Sequence, residues 1–230
     1  MSGRQPLTLL TREVRPLRLT RANSCLLLHD VHAPFTDRTE GWLGRHAAAK
    51  VLLREFDEYF GALDLMLPNF ARVLDACRKL GLPVAYTCLG YRPPEAPSLF
   101  QTATGWTWNL NSRDGSFPAE LQPGPDDAVF SKPGWGAPAN PAFVGFLAGR
   151  GITEVIMAGT FFDFGIQHSC YALGELGIGS LVVSDAAPAL IKEGQGYTAH
   201  NIAHGLTKLR NTAELLDLLE SLRQEGSVLI

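Results

Sequence analysis

Short, fully apolar runs separated by helix-length segments constrain this chain more than any other feature. The first run, Cys25-Leu26-Leu27-Leu28, closes on His29 and Asp30. A strand whose successive side chains are all apolar has no solvent face, so it belongs in a parallel sheet covered on both sides. Runs at 83–88 (PVAYTC), 128–130, 152–158 and 179–184 (GSLVVS) repeat the theme. The spacing predicts helices over 69–80, stopped by Gly81, over 141–148, with proline in its first turn, and over 164–176. A last helix is marked by Asn211 and Glu214, placed for a reciprocal cap, ahead of the stripe Leu215, Leu218, Leu219 and Leu222. The expectation is a three-layer α/β/α domain around a central, mostly parallel sheet, at 23–230, preceded by an N-terminal arm at 1–22. Two insertions stand out: 37–66, partly helical over 47–60, and 90–125, rich in Pro, Gly, Asn and Ser. A long aperiodic stretch in a compact α/β domain reads as a lid or binding loop.

Composition removes several function classes. With 46% of residues hydrophobic and 19% charged, the chain is neither disordered nor a small disulfide scaffold. A formal net charge of -3 disfavours nucleic acid as a partner. No apolar run reaches the roughly 20 residues of a membrane span. Arg4, Arg12, Arg15 and Arg18 stand near the start without an apolar stretch, so that segment reads as an arm and not as a secretory signal. Cys25, Cys77, Cys88 and Cys170 lie far apart with no CxxC pair and read as reduced thiols of a cytoplasmic protein. His29, His32, His46, His168, His200 and His204 have no metal-ligand spacing, and neither a metal nor another cofactor is expected.

In an open parallel sheet, ligands bind beyond the carboxyl ends of the strands. Three candidates fall there: Asp30 directly after the first strand, Lys132 after the third, and the turn from Gly159 to Gly165 after the fourth. A carboxylate and an ammonium sharing a half-closed crevice hold each other charged, and a substrate that displaces water can then exchange a proton with them. Taken singly, such an Asp is a common turn former and such a Lys a common surface residue. Phe35, Trp42, Trp106, Trp108 and Trp135 are aromatic side chains close enough in sequence to these ends to close over a substrate.

These residues carry a resemblance. LLLHDVHAPF (26–35), SKPGWGAP (131–138), VIMAGTFFDFG (155–165) and VVSDA (182–186), in that order, resemble four motifs of the isochorismatase-like hydrolase superfamily. The resemblance implies a catalytic Asp and Lys, carried over to Asp30 and Lys132, and by family analogy a homodimer or homotetramer. Most of that superfamily adds a nucleophilic Cys at the start of the helix after the fourth strand. Gly165 stands at that position, as glycine does in true isochorismatases, so a thioester route is closed. Cys170, five residues on, is turned by about 140° from that face and reads as inert. Where isochorismatases have Gln and then Arg to hold their substrate, this chain has Leu89 and Ser98. Arg92 is the guanidinium left in that loop to reach in. Thr160, Phe161 and Asp163, in the turn before Gly165, complete the expected substrate contacts.

The combined expectation is a cysteine-independent hydrolase acting on a small polar metabolite, in secondary metabolism. Asp30 would be the general acid/base, Lys132 would support its charge, and Gly165 with its neighbours would supply space and backbone N–H groups. Elimination, isomerisation or cyclisation by the same pair is the alternative, and a catalytically retired binding protein the other.

Overall fold

The computed structural model describes residues 16–43, 53–203 and 207–230. In chain order the strands are β1 (Arg18–Thr20), β2 (Ser24–His29), β3 (Val84–Leu89), β4 (Ala128–Lys132), β5 (Glu154–Gly159), β6 (Gly179–Val183), β7 (Thr207–Arg210) and β8 (Ser227–Leu229). The helices among these residues are α1 (Ala33–Thr36), α2 (Leu53–Leu80), α3 (Leu99–Thr104), α4 (Pro141–Gly149), α5 (Gln167–Glu175), α6 (Lys192–Ile202) and α7 (Thr212–Glu225). Six strands form one parallel sheet in the order β4-β3-β2-β5-β6-β7.

Both faces of the sheet are buried, as the apolar runs require. Leu26 and Leu28 of β2 pack with Phe70, Val73 and Leu74 of α2 and with Leu215, Leu219 and Leu222 of α7. Cys25 and Leu27, pointing the other way, pack with Phe143 and Leu147 of α4 and with Cys170 and Leu173 of α5. The Asn211–Glu214 capping box forms at the start of α7.

Three features differ from the sequence reading. The expected insertion at 37–66 is not a loop along its second half, because α2 runs unbroken from Leu53 through Pro68 to Leu80. One proline removes one backbone hydrogen bond. Here the buried stripe Tyr59, Phe60, Leu63, Phe70, Val73 and Cys77 holds both halves to the same core. The portion of the expected helix at 47–52 lies outside the described residues. A sixth parallel strand, β7, is short and lies at the sheet edge, where an apolar run is not demanded. Of the expected arm at 1–22, residues 16–22 are described and include β1, which pairs antiparallel with β8; Leu19 within it and Leu17 just before it are buried.

The chain order places the functional edge. From β2 the connections move outward through β3 to β4, then return to β5 on the other side of β2 and continue to β6 and β7. The reversal falls between β2 and β5, the topological switch point at which a crevice opens beyond the carboxyl ends. Asp30 and Thr160 stand at the two lips of that crevice.

Replacing Leu19 by Ala should lower unfolding stability by about 2–5 kcal/mol in urea titration, the usual loss for a fully buried leucine. A loss of only a few tenths of a kcal/mol would mean that the β1–β8 pair is not part of the cooperative core.

Candidate active site

Asp30 turns the chain out of β2 with φ of 53°, a left-handed conformation that Asp tolerates better than most side chains. Its backbone is held on both sides. The amide N–H donates to Thr87 O at 2.8 Å, and the Thr160 hydroxyl donates to Asp30 O at 2.8 Å. The carboxylate is held as well: Oδ1 accepts from the Leu89 amide at 2.8 Å, and Oδ2 lies 2.7 Å from Lys132 Nζ. Register makes the last contact possible, since Leu89 and Lys132 are paired at the ends of β3 and β4.

Lys132 is fully buried, and its ammonium faces three acceptors: Asp30 Oδ2, Gly134 O at 3.0 Å and Trp135 O at 2.7 Å. Three acceptors match the three protons of the charged form. Burial pushes the Asp30 carboxyl above the usual carboxylate range and the Lys132 ammonium below its ordinary value, while each partner's charge opposes the other's shift.

Beside this pair, the His29 ring is fully buried between two carbonyl oxygens, Thr160 O at 2.8 Å from Nδ1 and Trp135 O at 3.2 Å from Nε2. Burial first, and then the Lys132 charge, hold its pKa well below 6.5, so the ring is neutral. The same ring explains Gly165. A Cβ added at Gly165 would lie 2.3 Å from His29 Cε1, closer than atoms can approach. The seat of the nucleophilic side chain expected from the resemblance is therefore filled by an imidazole. Gly165 lines the active chamber, but the room left by its missing side chain belongs to His29. Metal-ligand spacing gives no reason to single out His29; the signal in the sequence is its position immediately before Asp30.

A cavity of about 170 Å³ opens above the pair. Phe35, Trp42, Leu89, Trp106, Trp135 and Phe161 line it together with Asp30 and Gly165, as do two residues the sequence did not single out, Phe164 and Leu190. The rings brace one another, with Trp42–Trp106 centroids 5.7 Å apart and Phe35–Phe161 5.0 Å apart. Among the described residues, Asp30 is the one acidic or basic side chain in this lining.

Four expected contacts fall elsewhere. Trp108 is buried behind the wall, stacked on Trp106 at 5.9 Å and edge-on to Phe35. Arg92 lies outside the lining, and its Nη1 reaches Asn111 Oδ1 at 3.4 Å. Thr160 is enclosed and acts on the backbone of Asp30. Asp163 accepts from the amides of Leu190 at 2.8 Å and Ile191 at 3.4 Å, which fastens Leu190 into the wall. Ser98 caps α3 through the Gln101 amide. Polarity in a sequence does not reveal which way a side chain points, and backbone groups claimed three of these polar residues.

A larger groove of about 620 Å³ lies at the opposite edge of the sheet, beside Arg78, Pro83 and Arg150. Arg78 is paired there with Asp127 and bonded to Gln122 O, so the groove offers no comparable acid–base pair. Among the described residues, no three His, Cys, Asp or Glu side chains gather as metal ligands would, and no helix is long and apolar enough to cross a membrane. His46 and His204 lie outside the described residues. Cys170 is buried in the α4–α5 layer, away from the cavity lining, with its thiol pushed up to about 11 by burial.

Two outcomes are expected. Gly165→Ala should lose about 1–3 kcal/mol of stability through overpacking, and much of this should return in a His29→Ala background. Strict additivity of the two changes would show that the ring does not dictate the glycine. Lys132→Met should leave the Asp30 charge buried alone and lower stability by about 3–5 kcal/mol near pH 8. Without the ammonium the folded Asp30 pKa rises above its wild-type folded value, itself already raised by burial, so the loss grows as pH rises through that wild-type value and is smaller at pH 5. Equal losses at pH 5 and pH 8 would contradict this.

Residues 24–214 match the isochorismatase domain family. Among solved structures, a cysteine hydrolase from Pseudomonas syringae pv. phaseolicola superposes with a TM-score of 0.74 at 15% identity, covering 88% of this chain and 95% of that one. An isochorismatase from Pseudomonas putida gives 0.65 at 18% identity, covering 92% and 99%. N-carbamoylsarcosine amidase from Thermoplasma acidophilum gives 0.61 at 17% identity, covering 83% and 96%. At these identities the structural likeness speaks to the three-layer α/β fold. The family match spans most of the chain, so the protein belongs to the isochorismatase-like hydrolase family.

Proposed function

We propose that this chain is a cysteine-independent member of that family, in which Asp30 gives a proton to, or takes one from, a small molecule held in the aromatic chamber. The observation that carries this reading is the 2.7 Å Asp30–Lys132 contact at the floor of a half-open, ring-walled cavity. Burial that raises the carboxyl favours its protonated, acid form, and the adjacent ammonium stabilises the carboxylate left after the proton departs. A pair meeting at such a floor also supports an enzyme over a retired binding protein.

On a vinyl ether the steps balance without a covalent intermediate. Asp30 protonates the vinyl carbon, and the resulting oxocarbenium ion adds water, whose proton returns to the Asp30 carboxylate. The hemiketal then breaks its C–O bond to give a ketone and an alcohol. The filled seat at Gly165 supports this route, since no side chain can be placed there to attack. One observation favours a second reading. Among the described residues, the lining holds no further charged or hydrogen-bonding side chain except the Trp indoles to orient a water molecule. Proton abstraction and return at another atom, giving elimination, isomerisation or cyclisation, needs no such water.

Asp30→Asn keeps size and shape but cannot exchange a proton. On a substrate turned over by the wild-type chain, kcat should fall by about 10²–10⁴-fold with an unchanged circular dichroism spectrum. Cys170→Ala should remain close to wild type. Full turnover by Asp30→Asn, together with a dead Cys170→Ala, would sink the proposal.

A further inference from the structure

The chamber also constrains what occupies it. We infer that this site takes an uncharged, largely apolar molecule about the size of a six-membered ring, with one polar atom that meets Asp30, and that it rejects carboxylates and phosphates. The inference rests on the functional reading above for the role of Asp30, but its grounds are the walls.

Charge comes first. An anion needs cationic donors facing it, and among the described residues the nearby cations are engaged elsewhere; the Trp135 indole N–H is the buried donor without a partner, enough for one polar atom but not for a charge. Lys132 has all three protons directed at Asp30, Gly134 O and Trp135 O, and it has no exposed surface. Arg92 lies outside the lining, within reach of Asn111. Among the described residues, the one charge an anion would meet in the lining is the Asp30 carboxylate. Aromatic walls can attract a cation through their faces. Here the ammonium directly behind Asp30 cancels the carboxylate that would complete such a cage. With Asp30 ionised the floor is neutral as a pair, and an uncharged occupant leaves it undisturbed.

Size and surface agree with this. The cavity is about 170 Å³, and apolar cavities of about 150 Å³ stay dry and accept benzene. Leu89, Leu190 and Phe164 close the walls between the indoles of Trp42, Trp106 and Trp135. Nothing in this lining would replace the water stripped from a polyhydroxylated or doubly charged metabolite, whose unpaired polar groups would weigh against binding. One polar atom placed at Asp30 is compatible with it.

The test uses the full chain and three probes of similar size: cyclohex-2-enone, cyclohex-1-ene-carboxylate and cyclohexyltrimethylammonium. Binding is followed by quenching of the tryptophans in the wall and by calorimetry. The enone should bind at least about tenfold more tightly than either ion. Leu190→Trp, which fills the chamber, should weaken the enone by about tenfold or more with an unchanged circular dichroism spectrum. Asp30→Asn should retain most of the enone affinity, because the walls supply it. Preference for the carboxylate or for the ammonium would overturn the inference, as would the absence of saturable enone binding or enone affinity indifferent to Leu190→Trp. These readouts do not use turnover. An active Asp30→Asn enzyme would sink the proton-transfer role and leave the substrate class standing, whereas a preferred carboxylate would do the reverse.

Discussion

A carboxylate and an ammonium taken out of water each lose several kcal/mol of hydration, and their attraction offsets that loss only when the remaining lone pairs and protons find partners. Asp30 and Lys132 meet that condition through backbone groups drawn from separate parts of the chain. The Leu89 amide comes from the end of β3, and the Gly134 and Trp135 carbonyls come from the turn after β4. The Thr160 hydroxyl, just beyond β5, pins the strained turn at Asp30. One ion pair therefore ties together the ends of four neighbouring strands and the loop that carries Trp135. Any shift in strand register would separate the pair, so the sheet and the site specify each other.

His29 is the second constraint. Its ring spans the gap between the turn after β4 and the turn after β5, and it leaves no volume for a side chain at Gly165. A thiol or hydroxyl on that helix turn would require a smaller residue at position 29. The glycine at 165 is thus part of a packed arrangement and not a lone substitution. On the proposed reading, chemistry at the site is left to proton transfer at Asp30.

The sheet and the pair were legible in the sequence for one shared reason. A parallel sheet gathers all carboxyl ends at one edge, so residues that close apolar runs become neighbours even when a hundred positions apart. Asp30 and Lys132 follow that rule. The short strands β1, β7 and β8 did not announce themselves, because an edge or two-stranded pairing of three or four residues needs no apolar run. The indoles of Trp42, Trp106 and Trp135 were found as aromatics in loops, where bulk points toward a cavity or a core. Trp108 shows the limit of that sign, since its ring supports the wall from behind. Leu190 carried no local signal; its place depends on Asp163, 27 positions earlier, holding its amide.

The apolar walls and the buried pair act on each other. Water that enters the chamber hydrates the Asp30 carboxylate and favours its charged form. An apolar occupant expels that water, which raises the carboxyl further and brings its acid form closer to the reacting atom. Lys132, sealed beneath, limits the shift by stabilising the carboxylate that remains when the proton leaves. On the proposed reading, binding and protonation of Asp30 are therefore the same event: the molecule best able to dry the chamber is the one that meets a protonated Asp30. A strongly hydrated metabolite would bring water with it and leave the carboxyl ionised, without the proton it has to give. The aromatic lining is then part of the chemistry as well as the recognition surface, because it sets how readily Asp30 holds and releases its proton.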